Sequence, residues 1–509
     1  MASKNEKKAP CLAVFGTGSE VGKSIVVTAL ARFFVNSGIR VAPFKSQNMS
    51  NNSGVTPEGL EMGRAQIVQA EAARIPPHVD MNPILLKPTD ETGSQVVLMG
   101  KAVGTLSASR YYRHKTALFD KARAALNRLR MRYDGVLIEG AGSCAEVNLM
   151  ECDIVNFKIA EIADAPVILV ADIHKGGVFA QIVGTLECLS REHRNRIAGI
   201  LINRFRGDPE LFSEGVTWIQ KRTRKRVLGV LPWYDGIRID AEDSVVLENP
   251  GPTSRKSSKQ ASIAVIRIPH ISNFTDFEPL FAVAGLNVFF IEKAQDLSSF
   301  RAVILPGSKN TRSDLKWIHE TGFREALCSY VKAGGHLLGI CGGYQILGQN
   351  IRDEKGLEGK SGSSRGLSFL PVETHLRALK QTTRTRFYWK DTEAFGYEIH
   401  MGKTRRLGGK ALFRIFARND RTCHDEDGCA SDDHRILGTY IHGLFDTPEI
   451  TKRWLETLGL SHLKVPEKAG PAARNKQYDL LAEHFQRHVD MDRISSIFVN
   501  PLNQNLMKS

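Results

Sequence analysis

The chain has 509 residues, of which 42% are hydrophobic and 24% charged, and its formal net charge is +14. That length exceeds what one hydrophobic core usually serves, so two or more domains are expected in an ordinary soluble globular protein. No apolar run approaches the ~20 residues of a membrane-spanning helix, Met1–Lys8 lacks a signal-peptide core, and the eight cysteines form no paired framework. These features predict a cytoplasmic protein with no membrane partner.

From residue 11 to 248 short apolar segments alternate with helical patterns, the segments being Cys11–Phe15, Gly135–Ile138, Pro166–Ala171 and Gly199–Ile202. Such alternation predicts an α/β domain with a mostly parallel sheet and helices on both faces. Directly after the first strand comes Gly16-Thr17-Gly18-Ser19-Glu20-Val21-Gly22-Lys23-Ser24, followed by an apolar-periodic helix. A phosphate-binding loop needs this strand–loop–helix context. Backbone N–H groups of the loop, from Thr17 to Gly22, would cradle the phosphates of ATP, Lys23 would reach the terminal ones, and Ser24 would ligate Mg²⁺. Position 17 departs from the strict G-x-x-x-x-G-K-[ST] spacing, as in the dethiobiotin synthetase-like branch of phosphate-loop proteins.

Two carboxylates follow at strand ends, where α/β folds bind ligands. Glu139, in Leu137-Ile138-Glu139-Gly140, and Asp172, in Val170-Ala171-Asp172, are candidate Mg²⁺ ligands, with helix capping or a loop charge as the plainer role for each. Asn203, after Gly199–Ile202, is a candidate for reading an adenine edge. The basic run Lys221–Arg226 comes with no nucleic-acid-binding motif, so a solvated helix end is expected and no nucleic-acid partner. A substrate rich in carboxylates and phosphates explains the positive charge equally well.

Residues 249–260 are polar, rich in Pro, Gly and Ser and non-periodic, which predicts a linker. A second α/β pattern begins at Ile263–Ile266 and continues through Ala302–Leu305 to His336–Ile340. The domain limits read as 10–248, 249–260 for the linker, 261–460, and 461–509 for a C-terminal extension, with the tail past about residue 490 poorly ordered. Gly339-Ile340-Cys341-Gly342-Gly343 sets a cysteine between a buried strand and a helix start. Small neighbours let the backbone turn sharply there and lift the thiol out as a nucleophile. The helix N-terminus would lower its pKa, while the N–H of Gly342 and the Gly307 turn in Leu305-Pro306-Gly307-Ser308-Lys309 would form an oxyanion hole. His442, in Tyr440-Ile441-His442-Gly443, is the candidate base. Cys423, His424, Cys429 and His434 match no standard zinc spacing, and Asp425–Asp427 suggest an exposed loop.

Cys341 followed by His442 resembles the class I glutamine amidotransferases. Most of these follow the histidine with x-Glu, but Gly443-Leu444 stands here, so the orienting group is open, with Glu398 and His400 as alternatives. Pro43-Phe44-Lys45-Ser46-Gln47-Asn48, Glu61–Gln66, His78–Pro88, Ala171–Phe179, Ile202–Asp208 and Gly396–Gly402 together resemble the cobyric acid synthase family of cobalamin biosynthesis. The resemblance spans roughly residues 10 to 460; the basic insert around Arg384–Lys390 and the C-terminal extension lie outside it. It implies ATP- and glutamine-dependent amidation of a corrinoid, the b, d, e and g carboxylates of adenosylcobyrinic a,c-diamide. It also implies that Lys45 stands near the transferred phosphate. The sibling cobyrinic acid a,c-diamide synthase shares both domains, and Gln47–Asn48 argue against it. A nucleotide-dependent partitioning switch shares the phosphate loop but leaves Cys341 and His442 without a role.

Overall fold

A computed structural model describes residues 8–89, 93–234, 236 and 260–499. The expected linker lies outside the described residues except for Gln260. The first domain is built on six parallel strands in the order Val227–Pro232, Ile197–Phe205, Val167–Asp172, Cys11–Gly16, Gly135–Glu139 and Val41–Phe44. Cys11–Gly16 is buried at every position, which explains its unbroken apolar run. Between Glu139 and Val167 the chain crosses from one side of this strand to the other. The carboxyl ends of these central strands therefore open a crevice. Separate apolar clusters cover the two faces of the sheet.

A smaller sheet lies beside the first. Gln47–Met49 pairs in parallel with Ile84–Pro88, and Gly93–Leu98 and Lys101–Ser107 extend it antiparallel.

The second domain has a six-stranded sheet in the order Leu286–Ile291, Ala261–Ile266, Ala302–Leu305, His336–Ile340, Ile436–Thr439 and Cys429–Ala430. Its edge pair is antiparallel and the other pairs are parallel. Beside it a largely antiparallel sheet is dominated by Val372–Trp389 and Thr392–Arg406, joined by a turn at Lys390 and Asp391. The basic insert is one arm of this hairpin. Thr383, Thr385, Phe387 and Trp389 are buried and alternate with Arg384, Arg386 and Tyr388, so the basic side chains occupy the outer face of a strand. Asp425–Asp427 lie in the strand Arg421–Asp427, paired with Phe413–Arg418, rather than in a loop. The run Lys221–Arg226 ends the helix Ser213–Thr223, as expected.

The C-terminal segment corrects one expectation. Gly470–His488 and Met491–Val499 are helices, and Tyr478, Phe485, Ile494 and Phe498 join the cluster of Val26, Leu30 and Phe34 on the first domain. The apolar face of the last helix supplies the burial that orders residues 491–499. No described helix is long and apolar enough to cross a membrane.

Phe498 is 1% exposed, with its ring 4.7 Å from that of Phe34. Phe498→Ala is expected to cost about 3–5 kcal/mol, read as a lower urea midpoint for unfolding of the first domain; an unchanged midpoint contradicts this packing.

Candidate active sites in two domains

The first site is the phosphate loop. Cys11–Gly16 ends at the loop and Lys23–Asn36 starts from it, with Gly22 left-handed at φ 98°. The ammonium of Lys23 donates to the carbonyls of Gly18 and Gly142, at 2.9 Å each. Ser24 Oγ donates to Glu139 Oε1 at 2.9 Å, and Lys45 Nζ reaches the same oxygen at 2.8 Å. Glu139 is fully buried, and its other oxygen accepts a hydrogen bond from Gln69. Lys23, Ser24, Lys45 and Glu139 thus converge, and Gln69 joins them. Gln69 sits on the helix Arg64–Ala72, buried almost all round, whose sequence gave no motif to single it out.

Two of the expected groups are turned to other work. Asn203 is fully buried, donates to the Val21 carbonyl at 2.9 Å and accepts from Tyr234 OH and from Arg204 N–H. A buried amide needs its partners, and here they tie the phosphate loop to the neighbouring strand rather than face an adenine. Asp172 accepts from the His174 N–H at 2.7 Å and pairs with Arg204 at 2.9 Å. One oxygen holds the loop that follows and the other the end of the neighbouring strand Ile197–Phe205. Thr17 sits at the loop's start, its N–H bonded to the Val170 carbonyl and its hydroxyl 3.4 Å from Gln181.

The second site is the thiol elbow. Cys341 stands between the strand His336–Ile340 and the helix Gly342–Leu347, with φ 52° and ψ −106°. A non-glycine residue in that region is strained, and such strain gathers at functional positions. The neighbours must be small. A Cβ on Gly342 would fall 2.7 Å from Ser308 N, and one on Gly307 would fall 3.0 Å from His442 Cε1. Both glycines therefore adjoin the Cys–His pair. The N–H of Gly343 is spent on the Pro306 carbonyl at 3.0 Å, which fixes the turn.

His442 is 1% exposed, hydrogen-bonded to Cys341, and its ring stacks on Tyr397. Its Nδ1 lies 2.6 Å from Asp276 Oδ2, whose other oxygen accepts from the Gly443 N–H at 2.9 Å. Asp276 is the orienting carboxylate, on the turn Phe274–Phe277 at a separation of 166 residues. Glu398 does not serve: it is bound by Thr385 at 2.7 Å and Arg418 at 2.9 Å. His400 bonds the Gly402 carbonyl at 2.7 Å. Burial opposes charge on His442, but Asp276 and then Cys341 outweigh it and push the imidazole up to about 10. The pairing thus favours the protonated form of the ring. Burial pushes Asp427 up to about 7 beneath Thr439 and Tyr440, one strand away. The described residues hold no cluster of His, Cys, Asp and Glu suited to a metal, and Cys429 is buried against the Gly408 carbonyl.

Comparison with known proteins agrees with this division. Residues 12–246 match the CobQ/CobB/MinD/ParA nucleotide binding domain, and residues 262–450 the CobB/CobQ-like glutamine amidotransferase domain. A cobyric acid synthase of Chlorobium phaeobacteroides (strain BS1) is 50% identical over 493 residues, covering 96% of this chain and 98% of that one. The chain belongs to the cobyric acid synthase family. The family's Chlorobaculum tepidum member is 47% identical over 490 residues, covering 96% and 97%. Its Yersinia enterocolitica member is 45% identical over 500 residues, covering 94% and 96%. Among solved structures a glutamine amidotransferase covers 39% of this chain and 98% of its own, at 19% identity and a TM-score of 0.30. The protein is a glutamine amidotransferase-containing amide ligase that uses ATP, with a nucleotide-binding domain followed by an amidotransferase domain.

Asp276→Asn is expected to lower glutamine hydrolysis by roughly 10²- to 10⁴-fold. It also lowers the pKa of His442, so the basic limb of the pH–rate profile shifts to lower pH. A variant with wild-type rate and profile removes Asp276 from the site.

Proposed function

We propose that the chain amidates the b, d, e and g carboxylates of adenosylcobyrinic a,c-diamide to give adenosylcobyric acid, through acyl phosphates and with ammonia released at Cys341. The observation that carries the reading is the joining of two incomplete chemistries on one chain. Cys341, His442 and Asp276 have no use for ATP; Lys23, Ser24, Lys45 and Glu139 offer no nucleophile for glutamine. The relatives named cobyric acid synthase support the a,c-diamide as substrate over the cobyrinic acid from which that diamide is made.

In the second domain Cys341 Sγ attacks the glutamine side-chain amide, and the N–H groups of Gly307 and Gly342 stabilise the oxyanion. His442, steadied by Asp276, gives its proton to the departing nitrogen. Neutral ammonia leaves, and a thioester remains. Water, its proton taken by the now neutral His442, releases glutamate.

In the first domain a substrate carboxylate attacks the γ-phosphorus of ATP and ADP departs. A free carboxylate cannot react, because oxide would have to leave, whereas the acyl phosphate loses phosphate readily when ammonia attacks its carbonyl carbon. Lys23 and Lys45 balance the charge on the phosphoryl oxygens, and the N–H groups from Thr17 to Gly22 hold the nucleotide. Ser24 Oγ and Glu139 are hard oxygen donors 2.9 Å apart, and Gln69 Oε1 beside them is buried without a protein partner. That set fits a Mg²⁺ with a retained water, held by Ser24 and Glu139. When bound, the ion would neutralise phosphate charge. Asn203 and Asp172 act by holding the loops on either side.

Cys341→Ala is expected to abolish amidation with glutamine and to retain it at high ammonium concentration. Lys23→Ala is expected to abolish it with either nitrogen source. Both are read from the mass of the corrinoid, where each OH replaced by NH₂ shifts the product. Failure of ammonium to support Cys341→Ala, or activity in Lys23→Ala, overturns the assignment.

A further inference from the structure

Two charged side chains near the thiol elbow stand without a partner. Lys309 directly follows the Gly307–Ser308 strand, and its N–H bonds the His270 carbonyl at 2.9 Å. Its ammonium feels Cys341, Glu358, Glu61 and Lys87, yet makes no hydrogen bond or ion pair among the described residues. Glu358 attracts it without meeting it in an ion pair. The Glu358 Oε2 accepts from the Arg312 N–H at 3.1 Å, in the first turn of the helix Thr311–Glu320. Its Oε1 has no partner among the described residues.

The charged groups around these two are paired. Lys87 and Lys380 both bind Glu61, at 2.9 Å and 2.6 Å. Asp314 accepts from His270 and Ser308, and Asp353 from the N–H groups of Leu357 and Glu358. Lys309 and Glu358 are thus an ammonium and a carboxylate left over, and both are partly open to solvent. They are nonetheless enclosed. Burial holds the Lys309 ammonium below its usual range and raises the Glu358 carboxyl to about 7.

An enclosed charge without a partner is costly, and a ligand bearing the opposite charge removes the cost. A zwitterion would satisfy both groups at once. Free glutamine is a zwitterion, and four carbon–carbon bonds of about 1.5 Å separate its amide carbon from its α-carboxylate carbon. The elbow and Lys309 are separated by a similarly short span. A Cβ on Gly342 would fall 2.7 Å from the N–H nitrogen of Ser308, and Lys309 is the next residue. An amide held at Cys341 therefore carries its amino-acid end toward Lys309.

We propose that Lys309 and Glu358 recognise glutamine by its amino-acid end, Lys309 pairing with the α-carboxylate and Glu358 with the α-ammonium. The pair selects the free amino acid over amides that lack those charges. It acts on substrate binding and leaves the bond-breaking step to Cys341 and His442. The proposal rests on the reading of Cys341 as the nucleophile.

The test measures ammonia released by the full-length enzyme from glutamine and from two analogues. One is 4-aminobutanamide, which lacks the α-carboxylate, and the other is glutaramate, which lacks the α-ammonium. Lys309→Met is expected to raise KM for glutamine about tenfold or more, with kcat within about threefold of wild type. Its kcat/KM for 4-aminobutanamide stays within about twofold, because that analogue never used the lysine. Glu358→Gln raises KM for glutamine in the same way and spares glutaramate. Lys309→Arg keeps the charge and restores most of the wild-type KM, and Lys309→Gln replaces the methionine variant if that one is insoluble. Where an analogue turns over too slowly to follow, its inhibition constant against glutamine takes the place of kcat/KM. An unchanged KM for glutamine in the lysine variants overturns the proposal. So does an equal loss on glutamine and 4-aminobutanamide, which marks an effect on the thiol or the fold. A wild-type enzyme that releases no ammonia from glutamine removes the reading of Cys341 itself.

Discussion

The turn that carries Asp276 is held from both domains, and the arrangement of the two centres depends on it. Asp276 fixes the imidazole of His442, while its near neighbours answer to the other domain. Asn273 accepts from the Ser53 N–H at 2.9 Å, and Asn52 accepts from the Phe274 N–H at 3.3 Å. A shift of the Asn52–Ser53 segment therefore reaches Asp276 through a few rigid bonds. The same segment leads into the strand pair Ser53–Val55 and Glu61–Gly63, then into the helix whose Gln69 bonds Glu139. One continuous set of backbone and side-chain bonds thus connects the orienting carboxylate of the thiol centre to the carboxylate of the phosphate centre. This is spatial continuity between the two centres.

What the sequence revealed followed from locality. The phosphate loop and the thiol elbow are each a strand, a short small-residue turn and a helix, so their signals lie within about ten residues. Both were legible, as were the two sheets, because parallel strands buried on both faces read as unbroken apolar runs. Asp276 was not, because nothing in Phe274-Thr275-Asp276-Phe277 distinguishes a catalytic partner until the fold brings it to His442. Asn203 and Asp172 stand where strand ends meet ligands, yet their groups are taken by Val21, Tyr234, Arg204 and His174. Position at a strand end was readable, but the partner of the side chain was not. The basic insert went unassigned for a related reason: its charge is periodic with the strand, and only the alternate Thr383, Thr385, Phe387 and Trp389 reveal the buried face.

The C-terminal helices extend the argument to stability. Glu71, on the same helix as Gln69, binds Arg474 at 2.9 Å and Tyr478 at 2.8 Å. Asn475 accepts from the deeply buried Arg32 of the helix that follows the phosphate loop, at 2.8 Å. The end of the chain thus clamps the two helices that support the nucleotide site from behind. Its Pro- and Lys-containing start hides this in the sequence, since the apolar positions that matter recur only with helical spacing.

Transfer of glutamine nitrogen to a phosphorylated carboxylate, without loss to bulk water, is the central claim. It is tested most directly by incubating the enzyme with ATP, corrinoid and glutamine labelled with ¹⁵N at the amide, in excess unlabelled ammonium at neutral pH. The account predicts a corrinoid product whose new amides carry ¹⁵N, because ammonia released at Cys341 reaches the acyl phosphate before it exchanges. New amides carrying only ¹⁴N would contradict a protected transfer, and an unchanged corrinoid mass would contradict the reaction itself.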